Sequence, residues 1–146
     1  MASNNHKEDF LVKEIIRAQG APCPSTGPYS QAVKVDNTLY IAGICGEKPV
    51  SWELAGGGED IKAETIQVME NLKAIMEEVG GTLDDIVSVQ LFLKDGAIMP
   101  QFNEVYRSYF KEGQLPARIA TVVTGFVGTK ANFELNAIAH IGASKA

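Results

Sequence analysis

The sequence predicts a single α/β (α+β) domain whose elements run β-β-α-β-α-β-β, with a mixed sheet and two helices on one face. Its 146 residues suffice for one hydrophobic core but not for two. Two stretches carry apolar residues at helical spacing, and several short runs have the alternation and β-branched content of strands.

The N-terminal part of the chain predicts a hairpin. Residues 1–11 are a polar tail by composition, and Ile15-Ile16 beyond them fits a short strand and a helical turn equally. Residues 31–35 and 39–44 are predicted as two strands. Asp36-Asn37 between them tolerates the backbone of a tight turn.

Periodicity predicts both helices. Residues 46–58 are expected to form a loop, because they contain Pro49 and three consecutive glycines. From Asp60 to Val79 the apolar residues recur at steps of three and four, and Gly80-Gly81 ends that helix. Residues 99–110 repeat aromatic residues at the same spacing and predict the second helix.

The remaining strands are predicted at residues 86–93, 119–123 and 133–141. In the first of these, Val87 and Leu91 would share the apolar face. A helix between two strands is long enough to return the chain in the same direction, so each helix predicts a parallel crossover.

The predicted sheet has too few helices to cover it. Residues 39–44 and 119–123 are apolar on both faces, and Ile138 interrupts the polar row of the last strand. Because two helices cover a single face, a second copy of the chain is expected on the other. The domain of this homo-oligomer is predicted over residues 12–142, with a short C-terminal tail at 143–146.

Composition narrows the partners and the compartment. The 13 basic and 18 acidic residues give a net charge of −5, which argues against nucleic acid, because such binding rests on Lys and Arg displacing counterions. No apolar run approaches the roughly 18 residues that span a bilayer, so no membrane segment is predicted. The N-terminal residues lack the pattern of a secretory signal, and the two cysteines form no disulfide framework. The cytoplasm is expected, with the mitochondrion as the alternative.

Familiar catalytic motifs are absent from the sequence. His6 and His140 have no carboxylate or cysteine at metal-ligand spacing, and Gly56-Gly57-Gly58 lacks the context of a phosphate-binding loop. There is no H-x-E with C-x-x-C and no G-x-S-x-G, so neither a zinc deaminase nor a serine triad is supported. We predict neither a metal nor a cofactor.

Three residues suggest chemistry of another kind. Gly27-Pro28 predicts a rigid turn that either presents the Tyr29 ring to a site or simply packs it. Arg118 opens a strand after Pro116-Ala117, where it would bind a carboxylate bidentately or lie solvated on the surface. Glu134 lies on the polar side of an apolar strand, so it is either part of an ion pair or a general base.

Five segments carry a family resemblance, in order from about residue 12 to residue 141. They are Gly27-Pro28-Tyr29-Ser30-Gln31-Ala32, Asn71-Leu72-Lys73-Ala74-Ile75, Phe102-Asn103-x-x-Tyr106, Pro116-Ala117-Arg118 and Glu134-x-Asn136-Ala137-Ile138-Ala139. Together they resemble the RidA/YjgF family of reactive-intermediate deaminases. The resemblance implies a chorismate-mutase-like fold and a homotrimer with ligand sites between subunits.

The resemblance also implies an activity and a site. The reaction would be hydrolysis of 2-imino acids or their enamine tautomers, such as 2-iminobutanoate and 2-iminopropanoate, to 2-oxo acids and ammonia. Arg118 would bind the substrate carboxylate, Glu134 would hold or deprotonate water, and Tyr29 would complete the catalytic set. The implied substrate-binding residues are Arg118, Tyr29, Gly43, Asn103 and Ala120.

The sequence departs from the family pattern near this implied site. Ala42 and Ile44 stand where serine and glutamine are usual, Ile119 replaces a small residue, and Ala120 stands where many members have cysteine. These exchanges bear on substrate preference and rate. Two other functions stay open. The resemblance implies an endoribonuclease or translation inhibitor as one of them, because some family members are described in this way. Ala42, Ile44 and Ala120 would also suit a module that binds carboxylate metabolites or partner proteins without catalysis.

Overall fold

The structure, a computed structural model, describes residues 12–144 and contains six strands and two α-helices in that range. The predicted polar tail at residues 1–11 lies outside the described residues. The elements are β1 (Lys13–Ile16), β2 (Ala32–Val35), β3 (Thr38–Ile44), α1 (Ile61–Glu78), β4 (Ile86–Leu93), α2 (Met99–Ser108), β5 (Ala117–Val122) and β6 (Phe133–His140).

The strands form one mixed sheet in the order β1-β2-β3-β6-β4-β5. Strands β4 and β5 are parallel, and the other neighbouring pairs are antiparallel. Because β3 and β4 both run antiparallel to β6, they are parallel to each other. Each α-helix therefore connects two parallel strands, as predicted. The N-terminal segment that the sequence left undecided is the edge strand β1.

Local sequence explains where these elements begin and end. Helix α1 begins after Asp60, whose side chain accepts a hydrogen bond from the Ala63 backbone N–H at 3.0 Å. It ends before Gly80, whose φ of 75° is left-handed. The β2–β3 hairpin turns at Asp36, which also has a left-handed φ of 53°.

The hydrophobic core lies between the sheet and both helices. Leu72 and Ile75 of α1, Phe102 of α2, Leu91 of β4 and Leu135 of β6 are all fully buried there. The predicted arrangement of an α+β domain with two helices on one face of a mixed sheet is confirmed.

One residue departs from the predicted alternation of β4. The pairing of β4 with β6 shifts between Ile86 and Ser88, which leaves Val87 as an extra residue in the strand. Val87 is 39% exposed, so its predicted place on the buried face with Leu91 is wrong. A bulge reverses the facing of every residue before it, and periodicity alone does not reveal one.

The sheet face opposite the helices is open in the single chain. Tyr40 and Ile138 pair across β3 and β6 and are 50% and 37% exposed, and Ile119 of β5 is 58% exposed. This apolar open face was predicted from the sequence, whereas the homo-oligomer that would cover it stays a prediction. Between residues 12 and 144, none of the helices is both long enough and apolar enough to cross a membrane.

Candidate functional site

A cleft of about 140 Å³ opens where the end of β3 meets the start of β6. We call it the carboxylate cleft, because Glu47 and Glu134 both line it. Tyr29 and Gly43 lie in it as well, so three of the predicted site residues come together here. The lining residues are Pro22, Pro24, Tyr29, Gln31, Ala42, Gly43, Ile44, Cys45, Glu47, Trp52, Val127, Gly128, Thr129 and Glu134.

Gly43 is the backbone neighbour of the Glu134 side chain. The pairing of β3 with β6 shifts its register between Ile41 and Ile44, and within that irregularity the Gly43 backbone lies against the carboxylate. A Cβ atom at residue 43 would collide with Oε1 of Glu134. The carboxylate therefore occupies space that only a glycine leaves free.

Glu134 is half-buried, and within residues 12–144 it forms neither an ion pair nor a side-chain hydrogen bond. Burial raises the pKa of its carboxyl, and the negative charge of Glu47 raises that pKa further. Glu47 is itself held by Thr129, whose hydroxyl donates a hydrogen bond of 2.6 Å to it. Of the two roles that the sequence left open for Glu134, an ion pair is therefore not formed with any described residue. The environment of its carboxylate suits the other role, that of a proton acceptor.

Tyr29 projects from a tight turn beside this carboxylate. Its backbone N–H donates to the Gly27 carbonyl at 2.8 Å, and its ring lies so close that a Cβ at Gly27 would be 2.5 Å from Cε1. The side chain is 55% exposed, so it is presented rather than packed away. Burial of the hydroxyl, followed by the charge of Glu134, raises the pKa of Tyr29, which keeps the phenol protonated as a hydrogen-bond donor.

Gln31 fixes the loop that carries the proline wall of the cleft. Its side chain is buried, and its Oε1 accepts a hydrogen bond of 2.6 Å from the Ala18 N–H. Its Nε2 donates to the carbonyls of Ala18 at 3.2 Å and Pro22 at 2.9 Å. The loop from β1 to β2 is therefore tied to the start of β2 by one fully used amide.

Asn71 of α1 fixes the other wall. Its Nδ2 donates to the carbonyls of Cys45 at 3.1 Å and Glu47 at 2.8 Å.

Burial, followed by the charges of Glu134 and Glu47, raises the pKa of the Cys45 thiol to about 12. The thiol in the cleft is consequently protonated and a poor nucleophile.

Asn103 and Arg118 lie in a different place, which we call the arginine pocket. The Arg118 guanidinium stacks over Tyr106, 4.8 Å from its ring centroid, and stands 5.8 Å from that of Phe102. Arg118 forms no ion pair within residues 12–144, and Ala120 is exposed two residues further along β5. The pocket measures about 260 Å³ and is lined by Asn103, Tyr106, Arg107, Leu115, Pro116 and Arg118.

Arg118 and Glu134 occupy opposite faces of the same sheet. Arg118 pairs with Val89, which in turn pairs with Ala137, and both of these partners are buried beneath the helices. Glu134 pairs with Phe92, which is only half-buried on the open face. Because directly paired residues share a face, the two charged groups of one chain point away from each other. The structure therefore brings Tyr29, Gly43 and Glu134 together but not with Arg118.

Sequence reasoning missed several residues of these two sites. Glu47 and Trp52 lie in a segment that composition identified only as a loop, and the role of Tyr106 beneath Arg118 was not anticipated. A carboxylate close to the end of a strand, as Glu47 lies three residues after the end of β3, is the one signal that would have singled it out. No group of three metal-ligating side chains gathers in the part of the chain that the structure describes.

The mixed six-stranded sheet with two helices on one face is the fold of the RidA/YjgF class of proteins. The chain belongs to the RidA/YjgF family, and its residues 19–141 match the family model described as Endoribonuclease L-PSP. The expected chorismate-mutase-like architecture is confirmed by a solved RidA from an Antarctic Psychrobacter. That structure is 39% identical, has a TM-score of 0.79, and aligns over 88% of this chain and 99% of its own.

Several curated relatives match this chain over most of its length. A RutC family protein of Pyrococcus abyssi is 46% identical over 78% of this chain and 87% of its own length. A 3-aminoacrylate deaminase of Acinetobacter baylyi is 38% identical over 90% of this chain and all of its own length. A 2-iminobutanoate/2-iminopropanoate deaminase of Mus musculus is 36% identical over 88% and 93%. Deaminases of imines and enamines are therefore among the relatives of this chain.

Proposed function

We propose that this protein hydrolyses reactive 2-imino acids and their enamine tautomers, among them 2-iminobutanoate and 2-iminopropanoate, to 2-oxo acids and ammonia. We further propose that each site forms between two copies of the chain in a homotrimer. The observation that carries both proposals is the pair Arg118 and Glu134, which are unpaired within residues 12–144 and face opposite sides of one sheet.

The arginine pocket suits the carboxylate of such a substrate. The Arg118 guanidinium lies over an aromatic ring, and no carboxylate pairs with it within residues 12–144, so its N–H donors stay available for a bidentate contact. In the proposed assembly this pocket faces the carboxylate cleft of a neighbouring copy. The substrate carboxylate then lies on Arg118, and its C=N carbon lies near Glu134 of that neighbour.

Proton movements at Glu134 complete the reaction. The carboxylate takes a proton from water, the resulting hydroxide adds to the C=N carbon, and Glu134 passes that proton on to the nitrogen to give a carbinolamine. Glu134 then moves the hydroxyl proton of the carbinolamine to its nitrogen, and the C–N bond breaks to release ammonia and leave the 2-oxo acid. Tyr29 can donate a hydrogen bond to the polar groups formed, because its phenol stays protonated. An imine carbon is already electrophilic, so positioning and charge suffice.

A coupled assay tests the proposal. A pyridoxal-phosphate-dependent threonine dehydratase generates 2-iminobutanoate, and the formation of 2-oxobutanoate is followed with and without this protein. Arg118→Ala should cost roughly 2–5 kcal/mol of transition-state stabilisation. The exposed Arg17→Ala variant serves as the control and should match the wild type. Wild-type turnover by Arg118→Ala would exclude the carboxylate contact.

The role of Glu134 has its own test. Glu134→Gln should still bind 2-oxobutanoate in calorimetry, since Arg118 is intact, while it loses most of its turnover. Glu104→Gln is a suitable control, because Glu104 forms an exposed ion pair with Lys62 on the helical side. Unchanged turnover by Glu134→Gln would assign Glu134 to structure instead of catalysis.

Ribonuclease activity is the second candidate, favoured by the description of the family model. The net charge of −5 weighs against it, because RNA binding draws on basic surface. RNA cleavage that persists in the Arg118→Ala protein after further purification would support this function.

A carboxylate-binding module without catalysis is the third candidate. It is favoured by Ala42 and Ile44, which line the carboxylate cleft without offering hydrogen bonds from their side chains. Tight binding of 2-oxobutanoate, together with no acceleration of imine loss in the coupled assay, would identify such a module.

A further inference from the structure

The loop from Gly46 to Gly58 contains two strained residues. Val50 has a φ of 69° and Trp52 a φ of 60°, in the left-handed region that bulky L-residues rarely adopt. The backbone is held there by hydrogen bonds from the Trp52 N–H to the Lys48 carbonyl at 3.0 Å and from the Lys48 N–H to the Glu53 carbonyl at 2.8 Å. Glycine would satisfy both positions without strain, so each side chain is retained against a backbone preference.

The two strained side chains have different surroundings. Val50 is 93% exposed and lies outside the carboxylate cleft. Trp52 lines that cleft together with Tyr29 and Glu134, and 44% of its surface is still open. The strained backbone at Trp52 therefore places an indole ring in the cleft, whereas the strained backbone at Val50 places no side chain in the cleft.

The rest of the lining indicates what the indole would contact. Pro22, Pro24 and Val127 add apolar surface, and Ile44 stands at the end of β3. The residues that line the cleft include no Lys, Arg or His, so a substrate side chain with a carboxylate would meet only the negative charges of Glu47 and Glu134. This apolar part of the cleft lining therefore suits an apolar group of a substrate.

We propose that Trp52 is a specificity-determining residue of this site and that its indole packs against the side chain of the substrate. This inference rests on the proposed function, and it names the substrate class as 2-imino acids with a branched or aromatic apolar side chain. Such a side chain covers an indole face that would otherwise stay in water, and a rigid aromatic wall loses little conformational entropy on binding.

Turnover of two imines by four proteins tests this inference. An L-amino-acid oxidase generates 2-imino-4-methylpentanoate from leucine or 2-iminopropanoate from alanine, and the rate at which each imine disappears is followed by trapping with semicarbazide. We expect the wild type to have the higher kcat/KM for the leucine-derived imine. Trp52→Gly should lower the ratio of the two kcat/KM values at least about tenfold, and Trp52→Phe should restore most of it.

Val50→Gly is the matched control. It relieves the same kind of strain in the same loop but removes no group from the cleft, so the ratio should stay at the wild-type value. A wild-type preference for 2-iminopropanoate would overturn the inference, and so would a Trp52→Gly protein that loses both activities equally.

A binding measurement separates this inference from the proposed function. Trp52 is the only tryptophan in the chain, so its fluorescence reports directly on occupation of the cleft. We expect 4-methyl-2-oxopentanoate to change the emission with an affinity at least about tenfold higher than that of 2-oxopropanoate. If neither imine is hydrolysed, the proposed function fails while this difference still supports a Trp52 contact. Equal affinities for the two oxo acids would overturn the contact.

Discussion

Burial and a neighbouring carboxylate both raise the pKa of Glu134. Burial disfavours the charged form of the carboxyl, and the negative charge of Glu47 disfavours it again. A carboxyl group with a raised pKa is a stronger base once it is ionised, although it is ionised over a narrower pH range. The charge of Glu47 therefore raises the pKa of Glu134 beyond the effect of burial.

The pH dependence of turnover should reveal this adjustment. Because Glu134 must be deprotonated to act as a base, kcat/KM should rise with pH through a pKa above the ordinary glutamate value. Glu47→Gln removes a negative charge, lowers the pKa of Glu134 and should move this acid limb to lower pH. Glu53→Gln, an exposed change in the same loop, should leave the limb in place. An unmoved limb in Glu47→Gln would contradict the coupling.

Gly43 permits a second test on the scale of single residues. Gly43→Ala places a methyl group where Oε1 of Glu134 now lies, so the carboxylate must move. We expect a loss of about 1–3 kcal/mol in the free energy of unfolding, measured in urea, together with a strong fall in kcat. Gly125→Ala is the control, because a Cβ there meets no atom within 4 Å. Full activity in Gly43→Ala would show that the close approach has no role in positioning Glu134.

Single residues of the site could be predicted only in part. Arg118, Glu134 and Tyr29 were identified because short motifs surround them, whereas Trp52 carried no comparable signal. The left-handed backbone at Trp52 runs against the preference of that residue type, so no propensity predicts it. Its position in the cleft depends on hydrogen bonds across the loop, which become visible only in three dimensions.

Among the secondary-structure elements, α1 does more than cover the sheet. Through Asn71 it holds the backbone that leads out of β3, and through Glu64 it holds the segment that leads into β6. The two Glu64 oxygens accept hydrogen bonds of 2.8 Å from the backbone and side chain of Asn132. One helix thus holds both the segment after β3 that carries Glu47 and the segment before β6 that leads to Glu134.

Asn71→Ala should reveal this dependence. The substitution leaves the carbonyls of Cys45 and Glu47 without their donor in a buried place, at a cost of about 1–3 kcal/mol in the free energy of unfolding. Turnover should fall as well, because Glu47 loses its backbone anchor. Urea denaturation of Asn71→Ala beside the exposed Lys73→Ala control measures the first effect. Equal midpoints for the two variants would contradict the anchoring role.

The elements themselves were predictable wherever one residue pattern dominated. Helix α1 has an N-cap, a regular apolar face and a glycine at its end, and all three point to the same boundaries. Strand β5 is different, because its residues are apolar on both faces. The alternation of residues in β5 therefore did not predict the face of the sheet on which Arg118 lies. That face follows from the register of β5 with β4, in which Arg118 pairs with Val89.

For the whole molecule, the open face and the divided site lead to the same proposal. The apolar residues Tyr40, Ile138 and Ile119 are left uncovered by the chain that carries them. In the proposed homotrimer these residues are buried, and the arginine pocket of one copy meets the carboxylate cleft of another. The sequence could predict that one apolar face of the sheet lacks helices to cover it. It could not predict which residues of two copies would contact each other there.

Mixing two inactive variants tests the division of the site. Arg118→Ala and Glu134→Gln chains, co-expressed in equal amounts with separable tags, should form mixed oligomers in which an intact Arg118 meets an intact Glu134. Random assembly in a closed ring gives about a quarter of the sites both groups, so about a quarter of the wild-type activity should return. The same two proteins purified separately and combined without exchange of subunits are the control. Mixed oligomers that stay inactive would exclude a site shared between chains.

The back-to-back placement of Arg118 and Glu134 also makes the rate depend on concentration. A single chain carries the two parts of the proposed site on opposite faces of its sheet. No local motion of a rigid sheet can bring Arg118 and Glu134 of the same chain together. On the proposed arrangement, activity per molecule should vanish on dilution below the association threshold and return when the protein is concentrated. Catalysis would then begin only once newly made copies have found one another.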